Sequence, residues 1–484
     1  MIPRSAGNTD DAASESPSNS VTHSTVDATA VTCDQAIFTS VRTPMGEGYR
    51  IIAASRGVTA AEKQAITKTS PSHDSLIGTG PDATGLASYL LPTGRLCIAK
   101  FWCAGAEQSG RGGKRVYTHN IVMTSEDLSR FAFSVFAVIR SAEDSGVFTG
   151  ALEPEKVLPQ LSLPSDPVVA ATFADSAELS RCASHVVEKL LDNRKIVLQV
   201  SGDPLAAARC LLAALPGPMR CEISFAAGLR FALSRSLRLN VTCRDHGVTM
   251  RRVQGQPIDL IASDDAATPT PDSAWARLVQ HHFDSGDIAS LNRWTSKPFA
   301  SVDAGARERI ANLCLALHDI ASNATPRLLL QAKDGLARPP GGSEGEIAEE
   351  FLERAVNELT DRLAETKLDE IRRCWPVILD IRRQGESGRA FARPLIDAAL
   401  QGCAGHDPVV AAELALDLAR SSDPRDDKAV EMALARLLGW CGRRRGALDP
   451  DVRRVCYEWI RLRPTCPVTA RLRDRVAAES APTF

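Results

Sequence analysis

Aromatic residues are scarce, 5% of the chain, and apolar runs are short; the longest, Phe131 to Ile139, is broken by Ser134 and cannot span a bilayer. The opening Met-Ile-Pro-Arg and the polar residues after it lack the apolar stretch of a secretory signal, so a cytoplasmic location is expected, with no membrane partner. The thirteen cysteines are scattered and never form CxxC, a distribution that fits small buried thiols in a reducing compartment rather than a disulfide framework. Charge of one sign is also missing. Lys and Arg number 57 against 59 Asp and Glu, a formal net charge of −2, which removes any whole-protein case for nucleic acid or anionic lipid.

Catalytic signatures are absent as well. HExxH and GxSxG do not occur, and the nine histidines never fall at metal-ligand spacing except the adjacent His281 and His282, whose side chains point apart, so no metal is expected. Gly105 and Gly110 have the spacing of the two P-loop glycines, but Arg111 stands where Lys and then Ser or Thr are required, which excludes a P-loop NTPase. Gly78, Gly80 and Gly85 miss dinucleotide spacing and read as a flexible loop. Ser201-Gly202-Asp203-Pro204 offers an anion a helix start, yet Asp203 would repel it, so a cap is the expectation. No cofactor is implied.

What is present is organisation. With 484 residues, 44% hydrophobic and 24% charged, the chain has the composition of a globular protein of two or three domains. Residues 1–32, dominated by Ser, Thr, Ala, Asn and Asp, read as a disordered polar tail. From Cys33 the apolar positions alternate into a strand, a turn at Pro44 to Gly48 and a second strand to Ala54. Thr59 and Glu62 have capping-box spacing for a helix that Ser70-Pro71 ends. Strands over 95–103 and 115–123 follow, then a helix from Ser125 whose face runs Leu128, Phe131, Val135, Phe136, Ile139. A helix over 180–191, a strand over 195–200, a helix after Asp203-Pro204, and strands near 220–225 and 237–243 complete a mixed α/β domain over 33–262. A turn-rich linker, 263–274, leads into 275–484, where helical periodicity replaces alternation. That half is read as an all-α bundle or irregular helical repeat, with a second linker at Arg338 to Gly342, and the two halves are expected to fold independently.

The strongest polar candidate is Arg115-Val116-Tyr117-Thr118-His119, because alternation sets Arg115, Tyr117 and His119 on one strand face, where they line either a pocket or a solvated surface. His73, in a loop beside Asp74, is a further candidate. Ten arginines and no lysine lie between Arg443 and Arg475, including Arg443, Arg444, Arg445, Arg454 and Arg461; Arg-only usage suits bidentate pairing with carboxylate or phosphate. With only Tyr457 and Trp459 among them, and Trp459 on a buried helix face, an acidic protein partner or plain solvation fits better than nucleic acid.

Together Gln35 to Arg42, Gly46-Glu47-Gly48-Tyr49, Ser70 to His73, Arg115 to His119 and Arg220 to Leu229 resemble the N-terminal domain of bacterial GTPase-associated proteins, over roughly residues 33–245. The resemblance implies a GTPase partner in a conflict or signalling system, and carries over no established active site. It places Tyr49, Tyr117 and Phe225 in family-like segments as candidate anchors for a core or interface. The sequence is therefore read as a non-enzymatic adaptor for a protein partner, a GTPase, with an enzyme built on Arg115, Tyr117, His119 and His73 and acting on a nucleotide or peptide as the alternative.

Overall fold

The alternation after Cys33 builds a long antiparallel hairpin, β1 (Ala30–Thr43) and β2 (Gly46–Ser55), in which Ser40 faces Tyr49 and the register shifts between Ile37 and Phe38. A computed structural model describes residues 30–43, 46–78, 80, 82–107, 113–150, 156–165, 176–235, 237–246, 253, 255–264, 271–297, 303–337, 342–421, 432–433, 435–436, 439, 450–464 and 467–480. Residues 1–29 of the expected tail and 265–270 of the expected linker lie outside that set. Residues 30–32 do not belong to a tail: they pair with β7 (Leu161–Pro164) as the start of β1.

The described sheet has eleven strands in two regimes. β1 and β2 join β3 (Thr84–Leu90), β4 (Leu96–Ala106) and β5 (Lys114–Met123) in antiparallel pairing, while β8 (Lys195–Val200), β10 (Leu239–Cys243), β9 (Phe225–Ala227) and β11 (Ile258–Ala262) run parallel to their neighbours. The order is β11-β8-β10-β9-β3-β4-β5-β1-β2-β6, with β6 (Val157–Leu158) at the far end. The two regimes meet where β3 pairs antiparallel with β9. β3 falls where the glycines suggested a loop, because Gly85, Ala87 and Ser88 carry no strand propensity. Gly85 is small because a Cβ there would lie 2.9 Å from the Ala227 carbonyl oxygen of β9.

α1 (Ala60–Thr69) begins with the expected capping box, and Glu62 extends it into a buried network. The Glu62 carboxylate accepts from Thr93 Oγ1 at 2.6 Å and from Arg95 Nε at 2.9 Å, and Arg95 Nη1 also donates to Asp34 at 2.6 Å. These bonds hold the fully buried Glu62 carboxyl down to about 2 despite its desolvation.

Two expected elements differ. The single helix from Ser125 is broken into α2 (Ser125–Ser129) and α3 (Val135–Asp144), because Ala132 and Phe133 take φ of 52° and 58°. Two successive left-handed non-glycine residues cost about 1–2 kcal/mol each. Packing holds them there, with the Phe133 ring against Gly217, where a Cβ would come within 2.4 Å of it. The strand expected near 220–225 is α7 (Gly217–Glu222), a turn and a half following α4 (Ser176–Leu179), α5 (Ala183–Leu191) and α6 (Pro204–Ala213); the strand begins only at Phe225.

Beyond the sheet every named element is helical: α8 (Ala274–Ser285), α9 (Ile288–Thr295), α10 (Ala304–His318), α11 (Thr325–Leu336), α12 (Gly342–Glu365), α13 (Leu368–Arg382), α14 (Gly385–His406), α15 (Pro408–Ser421), α16 (Pro450–Leu462) and α17 (Pro467–Ser480). Secondary structure thus changes where the sequence changes, but packing does not. Trp275, 1% exposed, donates from Nε1 to the Ala214 carbonyl at 3.0 Å, and Gln280 bonds both Ser184 Oγ and the Ser180 carbonyl of the α/β half. One continuous apolar core runs from Val31 to Val476. That continuity weighs against independent folding of the two halves. Trp275→Ala should destabilise the whole chain by about 3–5 kcal/mol. A single lowered thermal transition is the expected readout; an unchanged sheet-half transition beside a lowered helical one would restore two independent units.

Candidate functional site

The strand alternation in β5 holds: Arg115, Tyr117 and His119 do share a face, but that face is closed. Tyr117 is 1% exposed under Trp102, whose ring centroid is 4.7 Å away, and Phe148 meets His119 edge-on at 5.3 Å. Arg115 turns its guanidinium onto the Ala104 carbonyl, with Nη2 at 2.6 Å. His119 donates from Nε2 to Gln35 Oε1 at 2.8 Å, and Gln35 passes its own amide to the Pro159 carbonyl at 2.8 Å. Since the glutamine oxygen can only accept, the neutral Nε2–H tautomer follows from the bonding pattern. Burial pushes the His119 pKa down to about 4.

The face read as lining either a pocket or a solvated surface is thus a buried polar row, and these three side chains are not available to a partner in this conformation. Tyr49, half-buried, accepts the Val116 amide on its hydroxyl at 3.1 Å and leans on Phe38 at 5.7 Å. The His73 loop is drawn to the start of β5 by Asp74, which bonds Lys114 through its own amide and through its carboxylate at 3.2 Å. His73 itself is half-buried, and none of His73, Tyr117 and His119 lines the cleft described below. Phe225 is 1% exposed, a core anchor.

Of the arginine-rich surface, Arg443, Arg444 and Arg445 lie outside the described residues. Arg454 and Arg461 are exposed on α16, whose inward face carries Val452, Val455, Cys456 and Trp459 as the periodicity predicts. Tyr457, 52% exposed, stands between them at helical spacing, so the outer face of α16 reads Arg454, Tyr457, Arg461.

The Ser201-Gly202 loop is filled from within. Glu178 of α4 lays its carboxylate on the Ser201 and Gly202 amides and accepts from Ser263 Oγ at 2.6 Å, while Asp203 caps α6 through the Leu205 amide at 2.9 Å.

Sequence spacing gave no sign of two further features. His318 of α10 joins His281 and His282 of α8. His282 is fully buried, its Nδ1 facing the Asp287 carbonyl at 2.9 Å, so that Nδ1 carries the proton and Nε2 accepts from His318 at 3.1 Å. Desolvation first, then the His318 charge, pushes the His282 pKa down to about 4. Among the described residues no group of three His, Cys, Asp or Glu side chains is placed to hold a metal.

The second feature is a cleft of about 410 Å³ between α3, α6, α9 and the start of β3. It is lined by Phe136, Leu205 and Leu212 with Arg140, Arg209 and Arg220, none of which spacing singled out as a group. Arg220 is 4% exposed and anchored by carbonyls and hydroxyls, Leu215 at 2.9 Å, Ala213 at 3.0 Å and Thr295 Oγ1 at 2.5 Å. Burial pushes its pKa down to about 9.

Residues 32–164 match the family model described as GTPase-associated protein 1, N-terminal domain type 2. The match takes in β1 to β7, the Arg95 network and the whole β5 row; the Arg220 to Leu229 segment that resembled the family lies beyond it. No curated protein matches the chain.

Two buried neutral histidines set an expected pH dependence. In the unfolded chain each binds a proton near pH 6.5, but folded only near 4. The unfolded state therefore holds more protons between those values, and stability falls as pH drops below 6.5, by up to about 1.4 kcal/mol per pH unit for each histidine. Urea titrations from pH 7 to 5 should show this slope, and His119→Gln or His282→Gln should each flatten it. A slope unchanged from that of the parent chain in both variants would mean that neither ring is held neutral.

Proposed function

We propose that the chain is a non-enzymatic adaptor that binds a GTPase of a bacterial conflict or signalling system, and that the outer face of α16 contributes to docking. The family match at residues 32–164 carries the reading, since that family is named for GTPase association. Burial of Arg115, Tyr117 and His119 supports it by withdrawing support from the competing enzyme: the guanidinium is bound to a carbonyl and the imidazole is neutral and shielded from substrate. Cys33 and Cys97 lend no nucleophile either, their thiols pushed up to about 12 by burial.

For docking, α16 offers Tyr457 between two arginines, with Leu462 39% exposed beside Arg461. Tyr and Arg are the residue types that dominate interface energetics; Arg454 is shared with Asp451 at 3.5 Å and Glu413 at 4.0 Å, and the charge of Arg461 calls for an acidic group on the partner. No helix among the described residues is long and apolar enough to cross a membrane.

Calorimetry of the full chain with the GTPase encoded beside it, in GDP and GTP forms, tests the reading. Arg454→Glu with Arg461→Glu should weaken binding at least tenfold, about 1.4 kcal/mol, at an unchanged melting temperature. Arg115→Ala with His119→Ala should instead lower the melting temperature. Unchanged affinity in the arginine variant would move docking away from α16, and no binding in either nucleotide form would overturn the adaptor. The purified chain should hydrolyse neither GTP nor ATP; turnover abolished by a substitution within this chain would favour the enzyme.

A further inference from the structure

The cleft between the two halves holds more positive charge than the protein around it neutralises. At its rim Lys100 pairs with Glu143, which leaves Arg140, Arg209 and Arg220. Neither Arg140 nor Arg209 forms an ion pair with any described residue. The Arg209 guanidinium instead lies over Phe136, 5.0 Å from the ring centroid, and its buried Nε has no hydrogen-bond partner.

Arg220 is the unusual member. A guanidinium withdrawn from water is ordinarily matched by a carboxylate, because carbonyl dipoles only partly replace its hydration. Here its Nε and Nη2 are well bonded, but Nη1 reaches only the Ala132 carbonyl at 3.4 Å and Ser296 Oγ at 3.3 Å. Ala132 and Ser296 both line the cleft, so the weakly bonded nitrogen faces it. The first turn of α3, capped by Ser134, adds the positive end of its dipole along the same wall. Phe136 and Ile139 on the helix of Arg140, and Leu205 and Leu212 on the helix of Arg209, supply apolar surface in the same cleft. The left-handed pair Ala132 and Phe133 also lines the cavity, and backbone held in such conformations is concentrated at ligand-binding sites.

We propose that this cleft binds an organic diphosphate: a head group of two or more negative charges, held by Arg140, Arg209 and Arg220, joined to an apolar or aromatic body lying on Leu205, Leu212 and Phe136. Three cations without a carboxylate among the described residues favour a multiply charged head over a single carboxylate. The volume of about 410 Å³ lies within the range of small-molecule sites. A nucleoside diphosphate and a short isoprenyl diphosphate share this chemistry.

Calorimetry of the full chain with ADP, GDP, geranyl diphosphate and inorganic pyrophosphate tests the site and separates the sources. At least one organic diphosphate should bind in the micromolar range and at least tenfold more tightly than pyrophosphate. A nucleotide as that ligand assigns a nucleoside body; geranyl diphosphate assigns a lipid one. Arg140→Glu and Arg209→Gln should each weaken that ligand at least tenfold without moving the melting temperature, and Arg209→Lys should recover part of the loss. Absence of binding by all three organic diphosphates at millimolar concentration, pyrophosphate binding as tightly as they do, or indifference to both arginine variants would each overturn the assignment. These outcomes are independent of whether a GTPase docks at α16.

Discussion

A buried guanidinium stands at the junction of the two halves of this protein. Arg220 sits on α7 of the α/β half, reaches the carbonyls that end α6, and bonds the hydroxyls of Thr295 and Ser296 that end α9 of the helical half. Thr295 Oγ1 in turn donates to the Ala213 carbonyl at 2.6 Å, so the contact is a closed set of polar groups rather than one bond. In a low-dielectric interior such a set is stable only while every member stays in place, so a disturbance of α9 is felt at α6 and at the cleft wall. Trp275 reinforces the junction one turn of chain away, by apolar burial and one further bond to the end of α6.

Much of the fold was legible because its signals are local. The β1–β2 hairpin, the capping box at Thr59, the strands β4, β5 and β8 and the inward face of α16 all follow from spacing within a few residues. What escaped depends on contacts made at a distance. Arg220 opens a segment of mixed apolar and polar residues that reads as a strand, and a six-residue helix is too short for 3.6-residue periodicity to assert itself. The break between α2 and α3 is set by Phe133 packing on Gly217, which no local pattern encodes. The turn-rich composition after Ile261 marks the change of secondary structure faithfully, yet composition says nothing of Trp275 crossing back to the α/β half.

The candidate site shows the same division. Alternation placed Arg115, Tyr117 and His119 on one face correctly; whether that face meets water depended on Trp102 from the neighbouring strand and Phe148 from an irregular segment. The cleft was invisible because its arginines come from three helices and none is near another in sequence. Both the Arg95–Glu62–Asp34 network and the β5 row lie in the family-matched segment, and both hold their charges or rings in closed bonding patterns. The polar residues of these two clusters fix geometry.

The described sheet ends in two unlike ways. β6, at one end, has only two residues, too few to template another strand. β11, at the other, has five, and among them Asp259 is held in an ion pair by Arg194. A charged pair on an edge strand resists the addition of a further strand, since incoming backbone would have to desolvate it. At the parallel end of the sheet the Arg194–Asp259 pair thus works against chain-to-chain β-association.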